Sequence, residues 1–525
     1  MVILVLMVAA SSLFVSASYP PLGVGILAWI GLSPFLFALR QKGFARAVIL
    51  GSLYGCLFGV GAFYWANDIS SVNLPSFLVM LFIFALFFSV FGVLYSFMNQ
   101  RIGPWMILGA PALWVAVEFA RSNLSFLSMP WNLVGHSQYQ YLPIIQIADI
   151  SGVYGISFLI LMVNQYLSQI PELLKRERIN LGTLGAALQI PSLLLVVCSV
   201  IFSLAYGWYR LGTHERSEHL RIALVQANVL ARNNMPIIQQ VEHLRVYEKL
   251  TKEAARERPA IVIWPSSSLP APIVSRVVRF TITRLAPGIG TYLLVGGAGQ
   301  DKGGPPQEGY LPYSNSEFLI SPSGRPVAQY NKIRLLAFNE YVPLQGAINW
   351  PRWITTLKGS FIPGKEYTLF EVSGARFGAP ICWENMFPDL FRRFVKDGAN
   401  FMACVTNEGF FGRSSAPYYQ SLAIYVFRAV ENRVAIARSA TTGVSCIIDP
   451  NGEIVERIKD GNGKDLSVAG FLVRDIPLSN KKTFYTIYGD IFAYGAIGMA
   501  IGIILASFLK RKGSSTKMEK QMTLP

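Results

Sequence analysis

Phe377-Gly378-Ala379-Pro380-Ile381-Cys382-Trp383-Glu384 runs from a short apolar segment into a cysteine, and a helical pattern led by Pro388 follows. Proline suits a first helical turn, where its missing N–H would have no partner anyway. The stretch therefore reads as a strand-to-helix turn carrying a thiol. Amide groups at a helix end, and any nearby ammonium, favour a thiolate there. The interval 210–486 repeats the pattern on either side. Apolar or β-branched runs at 220–226, 260–264, 291–297, 316–321, 377–382, 401–405, 434–439 and 445–449 are bounded by Gly, Pro, Asn or Asp. Helical periodicity marks 237–255, 388–397 and 417–432. Strands apolar along much of their length belong to a sheet covered on both faces, so α/β layers are expected rather than a barrel.

Outward from this interval the composition changes. The chain has 525 residues, 52% of them hydrophobic and 14% charged, with a mean hydropathy of +0.40 and a formal net charge of +16. So low a charged fraction argues against an all-soluble chain and excludes disorder, collagen and coiled coil. Eight apolar runs approach spanning length, near 2–18, 22–39, 48–66, 75–97, 104–120, 152–170, 187–207 and 487–509. Expected, then, are a seven-helix membrane bundle over 1–210, a water-soluble domain over 211–486, an eighth span at 487–509 and a basic tail at 510–525. Val15-Ser16-Ala17-Ser18 would also suit a signal-peptide cleavage site, but the first run has no basic n-region.

Even-numbered connections carry Arg40, Lys42 and Arg46; Arg101; and Lys175, Arg176 and Arg178. The tail carries Lys510, Arg511, Lys512, Lys517 and Lys520. Odd connections are nearly bare, with only Arg121 at the edge of the fifth. The positive-inside rule then places both termini in the cytoplasm and the water-soluble domain on the opposite side. These twelve basic residues, set against Glu172, Glu177 and Glu519, account for +9 of the +16. The excess reports orientation, and a nucleic-acid partner loses its main support. A disordered end is expected after Lys512.

Of the cysteines, Cys56 and Cys198 fall in expected spans, whereas Cys382, Cys404 and Cys446 form an odd set without C-x-x-C spacing. At least one must be a free thiol. The four histidines, His136 among them, are scattered without ligand spacing, so no metal is expected. Polar groups collect after three strands: Pro265-Ser266-Ser267-Ser268 after Trp264, Tyr330-Asn331-Lys332 with Phe338-Asn339-Glu340-Tyr341-Val342-Pro343, and Cys382-Trp383-Glu384. Singly, a buried structural cysteine and a solvated lysine are the plain alternatives.

Together with Thr406-Asn407-Glu408-Gly409-Phe410-Phe411-Gly412 and Arg438-Ser439-Ala440-Thr441-Thr442-Gly443, these segments closely resemble the nitrilase-type αββα domain of apolipoprotein N-acyltransferases. Trp114, Glu118 and Arg121, Pro130-Trp131-Asn132-Leu133, Ser137-Gln138, Gly152-Val153-Tyr154-Gly155 and Tyr488-Gly489-Asp490 resemble that family's membrane part. The resemblance implies transfer of an acyl chain from a phospholipid to the N-terminal amine of a diacylglyceryl-modified cysteine, with no cofactor, in a Gram-negative inner membrane. Cys382 matches the nucleophile, and Lys332 matches a lysine that stabilises thiolate and oxyanion. Glu340 matches a second glutamate beside that lysine, as orienter or as substitute base. Where the family has its general-base Glu after Trp-Pro, this chain has Ser266.

A neutral hydroxyl cannot take a thiol proton as a carboxylate can. Three explanations stay open: a degenerate homologue, a sequence altered to stall turnover, or another carboxylate in the role. Trp264, Glu384, Phe410, Phe411, Asn132 and Gln138 are candidates for lining the substrate site. For each a structural role is the alternative, and Glu118 is expected to pair with Arg121. Two further function classes compete with the acyltransferase: a membrane-tethered amide or nitrile hydrolase, and an inactive homologue that binds lipid or lipoprotein.

Overall fold

The computed structural model describes residues 1–40, 42–69, 72–171, 189–213, 217–231, 235–300, 313–355, 357 and 360–522. It divides into two units. One comprises Met1–Tyr64, Leu74–Gly212 and Asp490–Pro525, the other Trp65–Asn73 and Thr213–Gly489.

The second unit is built on two six-stranded sheets. The first has the order β12-β1-β2-β3-β4-β5, with β1 (His219–Gln226), β2 (Ile261–Ile263), β3 (Tyr292–Gln300), β4 (Tyr313–Ile320), β5 (Pro326–Asn331) and β12 (Gly470–Pro477). The second has the order β11-β10-β9-β8-β7-β6, with β6 (Phe370–Val372), β7 (Ala375–Gly378), β8 (Phe401–Thr406), β9 (Ala435–Ala440), β10 (Cys446–Ile448) and β11 (Ile454–Arg457). In each sheet three central strands run parallel and the flanking pairs antiparallel. The sheets face one another: Ser439 Oγ on β9 donates to the carbonyls of Val225, 3.4 Å away, and Ile263, 3.3 Å away.

The helices Ile237–Ala255 and Arg276–Ile289 cover the outer face of the first sheet, burying Leu244, Tyr247, Val278, Ile282 and Leu285 against Val262, Trp264, Val295 and Phe318. Pro388–Lys396 and Ala416–Asn432 pack on the second sheet. The layered α/β reading thus holds. Arg276–Ile289 was not anticipated, because its Val, Ile and Thr residues and internal Pro287 lower helix propensity, although its apolar residues recur on one face. The short strands β6 and β11 and the half-exposed β12 also lacked a clear pattern.

The first unit is helical and apolar, as expected. Among the described residues four helices are long and apolar enough to cross a membrane: Phe44–Asp68, Leu74–Ile102, Ile190–Gly212 and Ile491–Leu509. A fifth results if Leu142–Ser151 and Val153–Leu167, bent by 119° at Gly152, count as one. Gly152 makes the bend with φ +62°, a conformation costly for a residue with a Cβ. The run near 22–39 breaks into Gly25–Leu27, Ala28–Gly31 and Ser33–Leu39, since Pro34 has no N–H to continue a helix. Asn164 repairs the break, its Oδ1 accepting from Leu32 N and Ser33 N at 2.8 Å each while Nδ2 donates to Ala28 O. Irregular backbone within apolar surroundings persists only when so satisfied.

Val2–Ala17 has 16 residues, and Met106–Asn123 carries Pro111, Glu118 and Arg121. Phe44–Phe63 lies tight against Leu74–Ile102 through Gly51 and Gly55, where a Cβ would stand 2.3 Å from Phe88 O and 2.5 Å from Phe84 O. The last helix continues to Met522, so the disordered end expected after Lys512 is corrected that far; the side chains of 510–525 lie outside the described residues. So do Lys175, Arg176 and Arg178.

Candidate active site

Cys382 sits where β7 gives way, through Ile381, to a short 3-10 turn, Cys382–Met386. The bridge Ile381↔Val405 ties its base to β8. Its φ of +52° is the left-handed conformation that a non-glycine residue adopts only at a cost of about 1–3 kcal/mol, when its surroundings enforce it. Glu384 does the enforcing. Fully buried, it accepts from Tyr330 Oη at 2.9 Å, Ile333 N at 2.7 Å, Arg334 N at 2.9 Å and Ile381 N at 2.8 Å. Asn385 Nδ2 adds bonds to the carbonyls of Pro380 and Cys382. Burial pushes the Glu384 carboxyl up, opposed by Lys332 and these donors. Of its two expected roles the contacts fit the structural one: its oxygens serve the turn and the end of β5. Glu384→Ala should strand four donors, two of them buried and two part-buried, and cost on the order of 3–5 kcal/mol, read as a lowered denaturation midpoint.

Lys332 follows β5 and is 1% exposed. Its Nζ donates to Glu340 Oε1 at 2.9 Å and Oε2 at 2.7 Å. Glu340 also accepts from Leu336 N and Asn315 Nδ2. Burial pulls the ammonium down, but Glu340, Cys382 and Glu384 outweigh it, so Lys332 remains charged. For the Cys382 thiol the balance goes the other way: burial raises it further than Lys332 lowers it. The anticipated thiolate is thus corrected to a resting thiol, since the turn is too short to supply much of a helix dipole. A base is needed. Sγ lies 3.8 Å from Asn407 O.

Cys404 and Cys446 are buried in β8 and β10, and all five cysteines are free thiols. Burial lifts Cys446 to about 11, leaving it inert.

Ser266 is 1% exposed, and its Oγ has no hydrogen-bond partner among the described residues. Beside it lies a group that the sequence reading missed, Glu317 on β4. It is fully buried, and neither carboxyl oxygen has a partner among the described residues. A Cβ built on Gly296 would meet Glu317 Oε1 at 2.3 Å and Ser266 Cα at 2.6 Å, so both flank that glycine. The signal was a single carboxylate in an apolar strand, which says nothing about its neighbours.

Burial raises the Glu317 carboxyl well above its ordinary value of 4.5. Unfolding above pH 4.5 therefore releases a proton that the folded chain retains, and stability falls as pH rises from there to the folded-state value. Glu317→Gln should remove that slope. Its thermal midpoint should exceed that of the parent at pH 7, with the gap closing as pH drops through 4.5.

For most of the remaining candidates the contacts fit the structural alternative. Trp264 is fully buried on the helix side of the sheet, stacking on Tyr247 at 4.6 Å and donating to Thr251 Oγ1. Phe411 is buried between Trp65 and Tyr418, each 5.5 Å away, while Phe410 beside it is half-buried. Asn132 and Gln138 are buried within the first unit. Asn132 O accepts from Tyr19 and Arg121, and Gln138 bonds Trp29 and Gly25. Glu118 and Arg121 attract one another as expected, while their hydrogen bonds go elsewhere: Glu118 accepts from Val134 N, and Arg121 donates to the carbonyls of Trp131 and Asn132.

Below the site, Arg438 pairs with Glu408, both buried. Arg438→Leu should cost about 3–5 kcal/mol by stranding that carboxylate, measurable as a loss of folded protein in denaturant.

Two facing sheets between helix layers, with a cysteine on a strained turn near a buried lysine and glutamate, define the second unit as a carbon–nitrogen hydrolase domain. Residues 221–476 match that family model, and residues 11–166 match the apolipoprotein N-acyltransferase N-terminal domain. The apolipoprotein N-acyltransferase of Geobacter metallireducens is 33% identical over 521 residues, covering 97% of this chain and 95% of that protein. The enzyme of Chlorobaculum tepidum is 28% identical, covering 94% of each. Among solved structures, an amidase from Nesterenkonia sp. aligns at 20% identity over 51% of this chain and 93% of that chain, with a TM-score of 0.37. The chain belongs to the apolipoprotein N-acyltransferase family.

Proposed function

We propose that Cys382 carries an acyl chain as a thioester, taken from a membrane phospholipid and passed to the N-terminal amine of a diacylglyceryl-cysteine lipoprotein. The observation that carries this reading is the thiol on its strained turn, coupled to the buried Lys332 ammonium that Glu340 holds. Attack on the donor ester forms the S–C bond and breaks the bond to the glycerol oxygen, which leaves protonated as the lysophospholipid alcohol. Attack by the amine then forms the amide and returns the thiol. Lys332 offsets negative charge on sulfur and on each tetrahedral oxyanion, where a fixed cation helps most. Glu340 is its orienter: with three donors already on its carboxylate, it is a poor candidate for shuttling protons.

An ester donor that resides in the bilayer gives the apolar helices a role beyond anchoring, which favours acyl transfer over amide hydrolysis. In this reading the eight apolar runs all lie within the membrane, some as broken or short helices. The domain near 211–486 faces away from the cytoplasm, where lipoprotein acceptors are met. The test is intact-mass measurement of the purified full chain after incubation with a phospholipid of defined acyl composition. Addition of one acyl group, released by a diacylglyceryl-cysteine peptide, is the expected result. No adduct at any pH between 5 and 9 would defeat the reading.

A further inference from the structure

Glu317 has no structural employment among the described residues. Buried carboxylates elsewhere in the second unit are engaged: Glu384 by four donors, Glu340 by Lys332, Glu408 by Arg438. Glu317 alone among them has both oxygens unpaired. Burying such a group without partners is costly, and proteins retain it chiefly where chemistry needs it.

Its place on the sheet is telling. Side chains alternate along β4, so Phe318 and Ile320 join the helix-side core while Asn315 and Glu317 share the opposite face, toward the second sheet. Asn315 reaches Glu340, the partner of Lys332. Glu317 stands opposite Tyr330 on β5, two residues before Lys332, and opposite Gly296 on β3. The Tyr330 hydroxyl holds Glu384, which braces the Cys382 turn. Gly296 admits the carboxyl to the flank of Ser266, and any larger residue there would collide with it.

We propose that Glu317 is the general base for Cys382, supplying from β4 the carboxylate that position 266 lacks. The assignment rests on the reading of Cys382 as nucleophile. Burial keeps Glu317 protonated at low pH, so the reacting form is the one that has already given its proton to solvent: as the S–C bond forms, ionised Glu317 takes the thiol proton, and it returns that proton to the departing glycerol oxygen. In the second half it takes a proton from the attacking amine and gives it to the departing thiolate. Serine at 266 and glutamate at 317 form a matched pair, since two carboxylates flanking one buried glycine could not both ionise. Burial that lifts a carboxyl also strengthens it as a base.

The test follows single-turnover thioester formation from dipalmitoyl phosphatidylethanolamine in mixed micelles, using the full chain between pH 5 and 9. Glu317→Gln should slow acylation by about 10²–10⁴-fold and abolish the ionisation on the acid side of the profile. Adding Ser266→Glu to that variant should recover at least about tenfold. A Glu317→Gln rate within about threefold of the parent, with the same pH profile, overturns the assignment while leaving Cys382 in place. No thioester in the parent defeats the Cys382 reading, and this assignment with it. Should Glu317→Gln fail to fold, the double variant Ser266→Glu with Glu317→Leu decides: acylation by a folded double variant supports the relocation, and its absence refutes it.

Discussion

Cys382→Ala is expected to reduce acyl transfer by roughly 10⁴–10⁶-fold, to the background of uncatalysed aminolysis, and to remove the acyl adduct altogether. The covalent route divides one difficult exchange between an ester and an amine into two easier steps, and without sulfur neither exists. The fold should survive. The side chains of Glu384 and Asn385 hold the turn without using the Cys382 side chain, and alanine demands no more of the φ of +52° than cysteine does. Folded protein with no adduct is therefore the expected result. Transfer within tenfold of the parent would remove Cys382 from the reaction, whereas an adduct moved to Cys404 or Cys446 would contradict their burial.

Lys332→Met should be nearly as severe for activity and should also weaken the fold. Loss of one charge-stabilising donor in a water-poor site typically costs about 10²–10³ in rate, and here one cation serves thiolate and oxyanion alike. Glu340 would keep Leu336 N and Asn315 Nδ2 but lose its counter-charge at 2% exposure of the lysine side chain, a penalty near 3–5 kcal/mol. Arginine should not rescue it, because a planar, larger guanidinium cannot occupy the pocket shaped for an ammonium. Measuring rate and unfolding midpoint on the same preparations separates the effects. The complementary change Glu340→Gln should leave more activity, since it loosens the ammonium without removing it. Unaltered kcat in Lys332→Met would assign the lysine to structure alone.

These expectations depend unequally on what could be read before the fold was known. Cys382 was legible as a thiol between an apolar strand and a proline-led helix, where a buried structural cysteine was the plain alternative, and its reading as a nucleophile came from the resemblance. Lys332 and Glu340 were legible as segments, and their bidentate pairing only as a relation implied by resemblance. The membrane runs were visible in hydropathy, but Pro34 and the bend at Gly152 divide or redirect them, and the repair by Asn164 comes from 132 residues away. For Trp264, Asn132 and Gln138 the choice between substrate contact and packing was not legible, because polarity or aromaticity near a motif does not reveal which way a side chain points.

By itself the sequence determined the layered α/β interval, the apolar helical part and the thiol at a strand-to-helix turn. All of these are written in local periodicity and composition. Only the tertiary structure decided that the thiol rests protonated, that Glu384 is a brace and Trp264 is core, and that the carboxylate missing from position 266 has a neighbour in Glu317. Those facts depend on burial and on strands brought together from distant positions, Ser266 after β2 and Glu317 on β4 across Gly296 of β3. Desolvation and cross-strand proximity are properties of the folded arrangement, and a linear pattern does not carry them.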